Sequence, residues 1–202
     1  MTKKEEDLTE YFLQPEMMLR LYRSGAFPMA ESKESTKVEW YMPEIRAVIP
    51  LDNFNIPRSF KKFLRESSFT VHFDRDFPAV VEGCASREET WISSRLTEAY
   101  MRLHRRGYIH TVEVYDQEDK IAGGLYGIAI GGVFFGESMF SYKPQSSKTA
   151  LYHLMIRLRE KGFAMLDVQI MNEHLRMFGA VEIPDYQYKE MLAMGLEKKC
   201  RF

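Results

Sequence analysis

The sequence predicts an α+β fold: a mixed β-sheet flanked by helices, with a small N-terminal lobe. Residues 111–115, 120–130 and 133–137 are strand-like runs, separated by turn signals at 116–119 and at Gly131-Gly132, and together they read as an antiparallel meander. The period then changes. Ala150, Leu151, Leu154, Met155 and Leu158 form one helical stripe, and residues 165–170 return to a strand. A polar stretch, residues 29–37, interrupts the chain near its start. These observations place the lobe at 1–46 and the sheet-bearing unit at 47–202.

Taken in order, the first seven residues are polar and read as a frayed end. Residues 8–24 read as helix, broken at Pro15, where an interior amide would be lost, and stopped by Gly25. Residues 38–41 and 47–49 read as short strands. Ile56-Pro57 opens a helix carrying Arg58, Lys61, Lys62 and Arg65 on one side and Phe60, Phe63 and Leu64 on the other. Residues 69–73 read as strand, and 77–86 and 93–106 as helices. Ser146 or Ser147 is expected to cap a helix running to Glu160, with Gly162 just past its end. A short helix over 173–178, a strand over 181–183 and a helix capped by Asp185 complete the chain.

Hydrophobic residues make up 45% and charged residues 28% of the 202, the profile of a soluble globular protein. Apolar runs are too short to span a bilayer, and the charged start lacks a signal core, so a cytoplasmic protein with no membrane partner is expected. Cys84 and Cys200 alone give no disulfide framework, and the five histidines show no ligand spacing, so no metal site is expected. A net charge of −1 argues against tight non-specific nucleic-acid binding but leaves room for a local basic patch. On spacing alone, the 58–65 patch fits a solvated helix face as well as a phosphate contact.

The polar candidates stand out against apolar strands. Glu137 sits among apolar and aromatic neighbours in Gly136-Glu137-Ser138-Met139-Phe140-Ser141, where an unpaired carboxylate is costly, so it needs a partner. Asp167 and Gln169 alternate in Leu166-Asp167-Val168-Gln169 and so point to one strand face. With the glycines of Gly123-Gly124-Leu125-Tyr126-Gly127, these residues predict a cleft with one polar end. Buried, satisfied acids are the alternative that the residues alone leave open.

These same motifs carry a resemblance. They occur in order with Gly25-Ala26-Phe27-Pro28, Val81-Glu82-Gly83-Cys84-Ala85, Thr90-Trp91-Ile92, Ser147-Lys148-Thr149-Ala150-Leu151 and Ile183-Pro184. From about Tyr22 to Pro184 the chain resembles the bacterial leucyl/phenylalanyl-tRNA–protein transferases. The resemblance implies an acetyltransferase-like (GNAT-like) fold. It implies transfer of leucine, phenylalanine or methionine from the 3′ acceptor end of an aminoacyl-tRNA to protein N-termini starting with Arg or Lys, marking them for degradation. No cofactor is implied, because the ester is already activated.

The resemblance implies catalytic roles for Asp167, Gln169 and Glu137. Asp167 would orient the Gln169 amide, whose carbonyl would hold the incoming amine; Glu137 would hold the donor's amino group or ribose, or position the acceptor amine. Substrate contacts are expected from Leu125, Phe134, Met139, Leu154, Leu158 and Leu166 around the side chain. Trp91 and Tyr100 would stack on the terminal adenosine or wall its site, and Asn172 would bind its ribose or aminoacyl end. Arg58, Lys61, Lys62 and Arg65 would meet acceptor-stem phosphates. The N-terminal lobe departs most from the family: Met29 replaces a Trp, and Trp40 to Arg46 replaces a paired-Trp segment. An acyl-coenzyme A acyltransferase of the same fold is a second reading, weakened by the absence of glycine before the 147–160 helix. A non-catalytic tRNA-binding module is a third.

Overall fold

The computed structural model describes residues 3–87 and 90–202. Helices α1 (Lys3–Phe12) and α2 (Pro15–Arg23) open the chain. Helix α1 begins within the stretch expected to fray. Pro15 takes the first position of α2, where its missing amide costs nothing. Strands β1 (Phe27–Ala30) and β2 (Val38–Tyr41) pair antiparallel as a separate small sheet, so the expected loop at 29–37 shrinks to the connection between them.

Strand β3 (Ile45–Ile49) then enters the main sheet, which is completed by β4 (Thr70–Phe73), β5 (Ile109–Tyr115), β6 (Ile121–Ile130), β7 (Val133–Ser141), β8 (Met165–Gln169) and β9 (Val181–Pro184). Its strand order is β4-β5-β6-β7-β8-β3-β9. Only β7 and β8 run parallel; the other neighbours are antiparallel. The sheet is therefore mixed, and helices cover both faces.

Alternation along the strands sorts the core into two layers. Tyr126, Ile128, Val133 and Phe135 face α2, α4 (Phe77–Ala85), α5 (Ser94–His104) and α8 (Asp185–Leu196). Leu125, Phe134 and Leu166 face α3 (Arg58–Glu66) and α6 (Ser146–Glu160). Tyr22 and Phe27 of the N-terminal segment are fully buried in the first layer, so the small sheet and the large one share a core.

Two local expectations are corrected. Helix α6 is entered through Gln145 in a left-handed conformation, not through a serine cap. The Ser146 hydroxyl instead bonds the carbonyls of Ala122 and Lys143, both at 2.7 Å, which ties the helix start to β6. Asp185 lies in the first turn of α8 and pairs with Lys189 at 2.5 Å; Pro184 holds the cap position. Among the described residues no helix is long and apolar enough to cross a membrane. The short α7 (Glu173–Met177) is capped by the Asn172 side chain, which accepts from the Leu175 amide at 2.9 Å.

Candidate active site

The site lies where two parallel strands part. Strands β7 and β8 are in register at Val133↔Met165, Phe134↔Leu166 and Phe135↔Asp167, and pair no further. Beyond that point β7 stays with β6, and a cleft of about 230 Å³ opens between Gly136–Met139 on one side and Val168–Ile170 on the other. Leu125, Met139, Leu151, Leu154 and Leu166 make it apolar, and Phe27, Met29 and Trp91 add a further wall.

Glu137 reaches the cleft through a β-bulge. Tyr126 pairs with Ser138 and Gly127 with Gly136, so Glu137 is an extra residue without a cross-strand partner. The residue is only 8% exposed, and its carboxylate accepts Tyr22 Oη at 2.9 Å, Tyr100 Oη at 2.6 Å and Gln169 Nε2 at 3.1 Å. Burial pushes the carboxyl up to about 7, against the pull of the two tyrosine hydroxyls; the Asp167 charge raises it further and Arg46 offsets part. Burial likewise raises Tyr22 and Tyr100, which therefore stay protonated as donors.

Gln169 has φ +64°, and the Ile170 amide donates to the Val168 carbonyl at 2.8 Å. This is a γ-turn with positive φ, a rare and strained form for a residue with a side chain. Asp167 holds it: its Oδ1 accepts the Gln169 backbone N–H at 2.9 Å. The same carboxylate receives Arg46 through Nε at 2.9 Å and Nη2 at 2.7 Å, and Tyr188 Oη at 2.7 Å. Arg46 lies between the rings of Phe27 and Tyr188, at 4.7 and 4.6 Å. Burial opposes its charge, but Asp167 outweighs burial and raises its pKa. A buried bidentate ion pair is a rigid support, and breaking it strands a charge.

Of the residues singled out in the sequence, the structure brings Glu137, Gln169, Trp91, Leu125, Met139, Leu154, Leu166 and Asn172 to one cleft. Asp167 is fully buried behind it and holds the backbone of Gln169, not the side-chain amide as expected. That amide donates to Glu137, and its carbonyl oxygen takes no hydrogen bond among the described residues. Tyr100 has no exposed ring face with which to stack on a base; it lies beneath Glu137 as a donor. Phe134 and Leu158 are fully buried in the α6 layer outside the cleft. Gly136 lines the cleft, whereas Gly123 makes room for the Ser146 side chain. Arg58, Lys61, Lys62 and Arg65 are all exposed on α3, whose Phe60 ring packs inward on Phe178 at 5.5 Å.

Arg46, Tyr22, Tyr188 and Phe27 were not expected from the sequence. One signal was present for Arg46: an arginine directly before the apolar run Ala47-Val48-Ile49 requires a carboxylate if the strand is buried. Cys84 is buried beside Ser138, and burial pushes its thiol up to about 12, which makes it inert as a nucleophile. Among the described residues no group of three or more His, Cys, Asp or Glu side chains converges on a metal position.

An apolar slot that ends at a carboxylate and a carboxamide suits a protein that grips a side chain and works on the group attached to it. Residues 48–193 match the leucyl/phenylalanyl-tRNA protein transferase family, and residues 13–44 match the N-terminal domain of that family. The leucyl/phenylalanyl-tRNA–protein transferase of Rubrobacter xylanophilus is 47% identical over 184 residues, covering 91% of this chain and 95% of that one. The chain belongs to the leucyl/phenylalanyl-tRNA protein transferase family. Its fold is similar to that of FemX, with a TM-score of 0.51 at 12% identity, over 87% of this chain and 64% of that one. The structure of L-PGS from Bacillus licheniformis aligns with a TM-score of 0.45 at 17% identity, over 74% and 56% of the two chains.

Proposed function

We infer that this protein transfers leucine, phenylalanine or methionine from aminoacyl-tRNA to the α-amino group of proteins that begin with Arg or Lys, and so marks them for degradation. The observation that carries the reading is the slot between β7 and β8, walled mainly by apolar side chains and closed by Glu137 and Gln169. Membership of the transferase family supports the reaction class: an aminoacyltransferase whose donor is aminoacyl-tRNA. The parting of the two parallel strands supports a GNAT-like sheet, and the availability of charged tRNA in the cytoplasm favours that compartment for the reaction.

The acceptor nitrogen attacks the ester carbonyl carbon. The bond from that carbon to the ribose oxygen breaks, an amide forms, and the ribose oxygen takes up a proton that the amine gives up. A carboxyl near 7 is suited to accept that proton at neutral pH, and Glu137 lies at the polar end of the slot. The Gln169 carbonyl is free to accept an N–H of the incoming amine while its Nε2 stays on Glu137. Asp167, which holds the Gln169 backbone, and Arg46, which holds Asp167, are positioning residues. Met139 gives the slot a soft wall that tolerates both branched and aromatic donors.

The test is transfer from leucyl-, phenylalanyl- and methionyl-tRNA to peptides beginning with Arg or Lys, and to matched peptides beginning with other residues. Transfer confined to the first set is expected. No product with any of the three donors removes the reading.

A further inference from the structure

We propose that Arg87 binds the phosphate on the 5′ side of the donor's terminal adenosine and so selects donors that carry it; the proposal rests on the transferase reading above. Among the described residues, Arg87 is the only cation lining the cleft, and it pairs with no carboxylate. It is nevertheless held in place. Nη2 donates to Ser138 Oγ at 2.8 Å and Nε to the Cys84 carbonyl at 3.4 Å. Ser138 directly follows Glu137, so the guanidinium is anchored one residue from the polar end of the slot.

A fixed, solvent-accessible guanidinium with donors to spare matches a phosphate in shape and charge. Trp91 lies in the same cleft and is half-buried, so an aromatic surface and a cation occur together. That pairing fits a nucleotide, with the base on the ring and the phosphate on the cation. A simple ester without a phosphate offers this cation no anionic partner. Arg87 would thus be a specificity residue for a tRNA-borne donor, acting apart from the basic face of α3.

The experiment compares two small donors, 3′-phenylalanyl-adenosine and its 5′-phosphate, with one Arg-initiated peptide as acceptor. The readout is the ratio of kcat/KM for the phosphorylated donor to that for the unphosphorylated one. A charge-assisted bond at an exposed site gives a wild-type ratio of about ten. Arg87→Ala brings the ratio close to one, and Arg87→Lys restores part of it. If Arg87→Ala lowers both donors equally, the residue only props the wall through Ser138 and the proposal is wrong. A wild-type ratio of one, with transfer intact, also overturns it and leaves the transferase reading standing. Failure of wild type to use either donor, or charged tRNA, overturns both.

Discussion

Gln169 is held in a left-handed turn that few side-chain-bearing residues adopt. Left-handed backbone costs about 1–2 kcal/mol for a residue with a Cβ, and glycine escapes that cost. Gln169→Gly is therefore expected to be about 1 kcal/mol more stable than Gln169→Ala in urea unfolding, while transfer falls sharply in both. Equal stabilities would show that the turn relaxes without its amide. Glu137 gives a second residue-scale prediction. Its carboxyl is raised from 4.5 to about 7 on folding, so the folded protein binds that proton more tightly than the unfolded chain. This contribution to stability is fully present below pH 4.5 and is lost as pH rises to about 7. Glu137→Gln should flatten the stability profile across that window, measured by denaturant midpoints. At this scale the sequence was partly legible. A carboxylate among apolar residues announced that Glu137 needed partners, but the partners, Tyr22 and Tyr100, come from distant segments and carried no local signal. Asp167 and Gln169 stood out by alternation, yet alternation assumes a regular strand, and the γ-turn at Gln169 ends it.

At the scale of elements, most boundaries follow from periodicity and turn residues, and the failures have a common cause. Strand β7 continues to Ser141, past the expected end at 137, because the bulge at Glu137 breaks the alternation by which a strand is read. The glycines were legible as close approaches, but most serve packing. A Cβ on Gly83 would lie 2.7 Å from the Phe140 ring, and one on Gly124 would lie 3.2 Å from the same ring. Together they let α4 lie flat on β6 and β7. Gly83→Ala forces that ring aside and is expected to cost about 1–3 kcal/mol, read as a lowered thermal midpoint. No loss would mean that Phe140 has room to rotate. Because Phe140 follows Met139, such a shift should also disturb the cleft wall.

At the scale of the whole molecule, a net charge of −1 conceals a segregated surface. Arg58, Lys61, Lys62 and Arg65 project from α3, which packs through Phe60 on Tyr152 of α6, the helix that supplies Leu151 and Leu154 to the cleft. If this face meets tRNA phosphates, Lys61→Ala should weaken tRNA binding and reduce the slope of log affinity against log salt by about 1, as read from a salt titration. An unchanged slope would assign the face to solvent. Composition argued against tight non-specific nucleic-acid binding, but it could not show that the charged helix and the cleft share a packing layer.

The acid in the slot depends on a tyrosine from the first helices, and the arginine behind it lies against a phenylalanine from the small sheet. The two family segments, 13–44 and 48–193, therefore share one chemistry. A protein trimmed to the second segment would shed the start of β3 with its rungs to β8 and β9, and with Tyr22 it would lose part of the dry, hydrogen-bonded surroundings that set the proton affinity of Glu137.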